Sequence, residues 1–160
     1  MEIEELFGLP AHPLVVHAAV VLLPLAALLT VVCAAVPRAR RWYAPVADGL
    51  ALVAVVAVGL AQGSGEALEE RVDETELVEE HTEKGEQVLP WAIAVLVAAA
   101  AVTAIPVLTR RRPSISNRTV TAAAVAISLI AGVGATWTVV DVGHSGAKAT
   151  WEDVGTDGGG

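Results

Sequence analysis

The chain has little sulfur and few aromatic rings: one cysteine, Cys33, one methionine, one phenylalanine and one tyrosine in 160 residues. A single thiol excludes an internal disulfide framework, a Cys-x-x-Cys redox pair and the Cys-x-x-Cys-His attachment of a c-type haem. Redox chemistry here therefore needs a non-covalent cofactor. The chain also lacks the basic opening of a secretory signal, since Met1-Glu2-Ile3-Glu4-Glu5 is acidic, so the first apolar run is expected to be its own insertion signal. No His-x-x-x-His or His-Glu-x-x-His pair places two metal ligands on one helical face.

What is present is apolar. Composition is 54% hydrophobic and mean hydropathy is +0.61, more than a small soluble core needs, so most of the chain is expected to lie in lipid. The net charge of −8 divides unevenly. Seven of the ten basic residues fall in two short stretches, Arg38, Arg40 and Arg41, then Arg110, Arg111, Arg112 and Arg118. Lysine and arginine mark the cytoplasmic side, which puts both stretches inside and both termini outside. The expectation is an all-α, four-span membrane bundle forming a single domain over 1–160. Its spans lie at about 13–36, 45–62, 88–109 and 119–140, and an acidic outer loop covers 64–87.

Local signals refine that outline. Ile3, Leu6 and Phe7 have the spacing of a short surface helix over 1–11. Pro13 suits a helix start, and Pro24 should bend span one. Gly59 and Gly63 form a small-xxx-small pair that predicts close helix approach. Asp73 with Glu76 resembles a capping box, after which Leu77, Val78, His81, Gly85 and Val88 share one helical face. That helix is expected to run on into span three, bent near Pro90. Gly143 is the expected stop of the last helix.

All four histidines, His12, His17, His81 and His144, then reach the outer side. His12 and His17 would point ~140° apart on an ideal helix, so they are not one two-ligand face. His17, a polar ring below the interface, is a functional candidate by default. A bis-histidine b-type haem needs imidazoles from facing helices at similar depth, and His17 with His81 is the first-choice pair, with His12 and His144 as alternates or ligands of a second haem. The same four residues suit zinc or copper, with Glu66, Glu80 or Asp141 as oxygen ligands or tautomer-fixing partners. The third reading is a structural or assembly subunit of a larger membrane redox complex. The expected inner half holds no histidine and Asp48 is the sole acidic residue near a span, which disfavours a transmembrane haem chain and ion transport. Expected partners are the bilayer, an outer-face redox protein or membrane complex and, through the glycine faces, a second copy; no nucleic acid is expected.

The order His12-Pro13-Leu14-x-x-His17, Ser64-Gly65-Glu66, Glu80-His81 and Gly143-His144-Ser145-Gly146 resembles the bacterial predicted membrane proteins called domain of unknown function twenty-two thirty-one. The resemblance covers nearly the whole chain and implies four spans in a bacterial cell membrane. It also implies a redox setting, because some members are joined to or encoded beside cytochrome or Rieske-type modules. All four histidines match the pattern; Ala18 and Ala19 after His17, and Ala147 after Gly146, depart from it.

Overall fold

The computed structural model describes residues 5–6, 9–69, 75–111 and 116–156. Two short strands, β1 (Glu5–Leu6) and β2 (Leu9–Pro10), pair antiparallel ahead of five helices: α1 (Ala11–Ala35), α2 (Pro37–Glu69), α3 (Glu76–Glu86), α4 (Val88–Arg111) and α5 (Asn117–Thr156). Of the surface helix expected over 1–11, Leu6 lies instead in β1, while Ile3 and Phe7 lie outside the described residues. Pro10, with its fixed φ and no N–H, suits an edge strand rather than a helix interior.

Four of the helical segments are long and apolar enough to cross a membrane, with α3 leading into α4 as one of them. They close into a ring in which α1 packs on α2 and α5, and α4 packs on the same two helices. The ring is inside out compared with a soluble bundle. Its centre is mostly alanine, including Ala26, Ala51, Ala54, Ala92 and Ala135, around Leu23 and Val95, whereas Val21, Leu28, Val97, Ile130 and Val133 face outward. Small residues let helix backbones approach, and lipid tails solvate the large side chains outside, so the molecule is a multi-pass membrane protein.

Only Val36 separates α1 from α2. The residue before a proline is pushed away from helical geometry, so Pro37 ends α1 and also begins α2. The first arginine stretch is therefore helical from Pro37, earlier than the Pro45 start that hydropathy gave. The stripe Arg40, Ala44, Ala47, Ala51, Ala54 and Val58 keeps one face of α2 buried throughout. Arg40 closes the turn: its Nε donates to the Cys33 carbonyl at 3.0 Å and its Nη2 to the Ala34 carbonyl at 2.7 Å. These are orphan acceptors at the negative end of α1. Cys33 is fully buried there as a packing residue.

Two glycine expectations are corrected. Nothing approaches within 4 Å of where a Cβ would stand on Gly59 or Gly63, so that pair faces outward and brings no helices together. The close approaches occur on α5 instead, where a side chain on Gly134 would collide with the Trp91 ring and one on Gly132 would meet Ala27. Nor does Gly143 stop α5, which runs through it to Thr156. At the other break, α3 ends at Glu86 and Gln87 turns its N–H back to the Gly85 and Lys84 carbonyls, so the helix interrupts before Val88 and not at Pro90.

Candidate functional site

Both α2 and α5 run several residues beyond their apolar stretches at the end of the bundle that carries the histidines, and each carries a Ser-Gly pair there, Ser64-Gly65 and Ser145-Gly146. His12, in the first turn of α1, lies against the first pair. His81, on α3, lies against the second. The Nδ1 of His12 is 3.0 Å from Ser64 Oγ, and Ser64 Oγ donates to the Ala61 carbonyl at 3.0 Å. The Nδ1 of His81 is 3.0 Å from Ser145 Oγ, and Ser145 Oγ donates to the Val142 carbonyl at 3.0 Å. The two arrangements are the same device built twice.

A hydroxyl has one hydrogen. With that hydrogen given to the carbonyl three residues back, the serine oxygen accepts from the imidazole, so this network assigns the proton of each neutral ring to Nδ1. Each Nε2 is left with a free lone pair, the atom a metal binds. The glycines bring the rings onto the helix backbone: a Cβ on Gly65 would lie 3.2 Å from His12 Cε1, and one on Gly146 would lie 2.8 Å from His81 Cε1.

The mounting of His81 is polar. No residue of α3 is buried, and Thr75 caps it by accepting from the Val78 N–H; Asp73, the cap expected from the sequence, lies outside the described residues. Besides the histidine bond, Gln62 Nε2 donates to the Gly85 carbonyl at 2.9 Å, and Lys84 Nζ bridges Glu80 at 2.9 Å and Asp141 at 3.2 Å. This helix stands outside the apolar stretch that begins at Val88. There the bond to Lys84 holds the Glu80 carboxyl below its usual range, and the bond to Glu80 holds the Lys84 ammonium above its own.

Of the four histidines, His12 and His81 each reach a serine on another helix, and the other two are exposed. His17 is exposed on the outer surface of α1, its Nδ1 donating to the Pro13 carbonyl at 2.6 Å, and His144 is exposed on α5. His17, the first-choice partner of His81 on sequence grounds, bonds within its own helix, whereas His12 and His81 each reach a serine on another helix. Among the described residues no group of three or more His, Cys, Asp and Glu side chains converges on a point. The sequence reading did not single out Ser64 and Ser145 as partners, although their shared Ser-Gly spelling was the available signal.

A family model described as "Predicted membrane protein (DUF2231)" matches residues 8–158. No curated protein matches the chain, and neither does any solved structure.

Proposed function

The chain therefore belongs to that family of predicted membrane proteins, and on that premise we propose that its histidine end holds a b-type haem between His12 and His81, in a protein that exchanges electrons with a redox partner on the outer side of the membrane. One observation carries the reading: two imidazoles from different helices, each with Nδ1 3.0 Å from a serine hydroxyl and neither with an Nε2 hydrogen bond among the described residues. Two is the axial number of a haem, whose macrocycle supplies the other four donors. A structural zinc takes four protein ligands, and among the described residues no group of three or more His, Cys, Asp and Glu side chains converges.

Each residue then has a part. His12 and His81 would be the axial ligands. Ser64 and Ser145 hold the rings in one tautomer and orientation, and Gly65 and Gly146 leave room for the rings against the helices. A haem so bound supplies one-electron chemistry at iron. With the arginine stretches on the cytoplasmic side, the site opens outward.

The test is the visible spectrum of the detergent-purified protein, oxidised and then reduced with dithionite. Sharp reduced α and Soret bands are expected, lost in His12→Ala and in His81→Ala and retained in His17→Ala. A protein that stays colourless after haem is offered sinks the reading, and elemental analysis then separates a zinc or copper site from a subunit without cofactor.

A further inference from the structure

The end of the bundle away from His12 and His81 carries positive charge with no carboxylate to balance it. There α1 and α4 end and α2 and α5 begin, and Arg38, Arg41, Arg110, Arg111 and Arg118 are all exposed. Among the described arginines only Arg40 turns inward, to the carbonyls that close α1. The chain has no acidic residue between Leu6 and Ala47, nor between Gln87 and Val140. Asp48, ten residues beyond Arg38 on α2, stands ~15 Å farther along that helix. The ion pairs among the described residues are both made by Lys84, at the histidine end.

On α2 this charge runs straight into the lipid-facing surface. Arg38, Arg41, Trp42, Pro45, Gly49 and Leu52 recur every three or four residues and are all exposed, so they form one stripe, turned away from the buried alanine stripe of the same helix. The Arg41 guanidinium lies over the Trp42 ring, 5.7 Å from its centroid, which holds the cation beside an indole at the depth where such rings settle in a membrane. Seven residues on, ~10 Å deeper, Gly49 has nothing within 4 Å of where a Cβ would stand, so the helix backbone there is bare.

Headgroup chemistry decides which lipid suits the stripe. A guanidinium takes a phosphate through two parallel N–H···O bonds. Choline and ethanolamine headgroups bring a cation next to their phosphate, and this end of the protein has no carboxylate to receive it. A glycerol headgroup brings the phosphate charge by itself. We propose that this face of α2 binds an anionic phospholipid, its phosphate at Arg38 and Arg41, its glycerol backbone beside Trp42 and an acyl chain along Pro45, Gly49 and Leu52. The assignment depends neither on haem at the other end nor on which side of the membrane this end faces.

The test uses the full chain in phosphatidylcholine vesicles that contain a minor fraction of lipid brominated on its acyl chains, either phosphatidylglycerol or phosphatidylcholine. Bromine quenches tryptophan at close range, and the Trp42 share of the emission is found by difference from Trp42→Phe. At equal fraction, brominated phosphatidylglycerol should quench that share several times more strongly. The preference should fall by up to about fivefold in Arg38→Gln and in Arg41→Gln, and disappear when both are changed. Arg118→Gln, across the ring on α5, should leave most of it. Gly49→Leu, whose side chain enters open space, should lower quenching by both lipids alike. Circular dichroism and a monodisperse elution profile show that the variants fold. Equal quenching by the two lipids overturns the proposal. So does a preference that Arg118→Gln reduces as much as Arg38→Gln, which would belong to the surface charge as a whole, and quenching unchanged in Gly49→Leu overturns the path of the acyl chain.

Discussion

His12 and His81 make the same bond to the same kind of partner and are mounted in opposite ways. His12 grows from the first turn of a membrane span, and its serine sits on the helix that packs along the whole length of that span. His81 is carried on α3, a helix with no buried residue, tied by one amide bond to α2 and by an ion pair and the histidine bond to α5. The first mount is held by apolar packing in lipid and the second by polar contacts that water competes for. The same histidine–serine bond therefore stands on supports of unequal strength, and regions with few buried contacts open first.

The largest expected difference between the two mounts lies at the glycines. Alanine at Gly146 would bring a methyl to 2.8 Å of His81, closer than real contacts allow, whereas alanine at Gly65 would reach 3.2 Å of His12. Gly146→Ala should destabilise by about 1–3 kcal/mol, the range of overpacked sites, or displace α3 outright; Gly65→Ala should cost less. Melting curves in detergent with haem titrations check the order. Equal effects would mean that the two rings are held alike.

Next in size are the serines. Ser64→Ala and Ser145→Ala each leave an Nδ1–H and a carbonyl without their common partner, about 0.5–1.5 kcal/mol apiece. For affinity the expectation is sharper. Loss of a residue that orients a ligating histidine typically costs 10–100-fold, and Ser145→Ala should lie toward the upper end of that range because α3 has little else to hold the ring. Threonine at either position should restore most of the loss.

The smallest effect follows from pH. A depressed carboxylate such as Glu80 contributes stability that is present above its unfolded value and fades as pH falls through its folded one; a raised ammonium such as Lys84 contributes below its unfolded value and fades as pH rises through its folded one. The pair thus holds α3 across the neutral range and releases it at both extremes. Both groups reach water, so the contribution is small and screened by salt. Amide exchange in α3, measured against α1 at the same pH, should quicken on acidification, while unchanged protection would place the hold on α3 in Gln62 and Ser145 instead.

Much of this protein was legible before its structure. The apolar runs, the arginine stretches and the bend-tolerant prolines follow from hydropathy and local backbone chemistry, which act on neighbours in the chain. The gathering of histidines toward one end followed from counting spans. What sequence reasoning misjudged were matters of facing. Gly59 and Gly63 have the spacing of a helix contact and turn away from every neighbour, whereas Gly132 and Gly134, two residues apart, receive Ala27 and Trp91. Gly143 looks like a helix stop, but the bonded residues around it keep α5 intact.

The choice among the histidines shows the same divide. Depth in the membrane pointed to His17, because a polar ring in an apolar span asks for an explanation. That ring meets its need locally, through the Pro13 carbonyl four residues back, and faces outward. His12, an alternate ligand on sequence grounds, reaches a serine fifty-two residues away. By itself the sequence determined that four segments are apolar enough to cross a membrane and that the histidines sit toward one end, because burial in lipid is decided residue by residue along each helix. Only the tertiary structure decided which histidine meets which serine and which glycine admits a neighbour, because rotation of one helix against another is set by packing between segments distant in the chain.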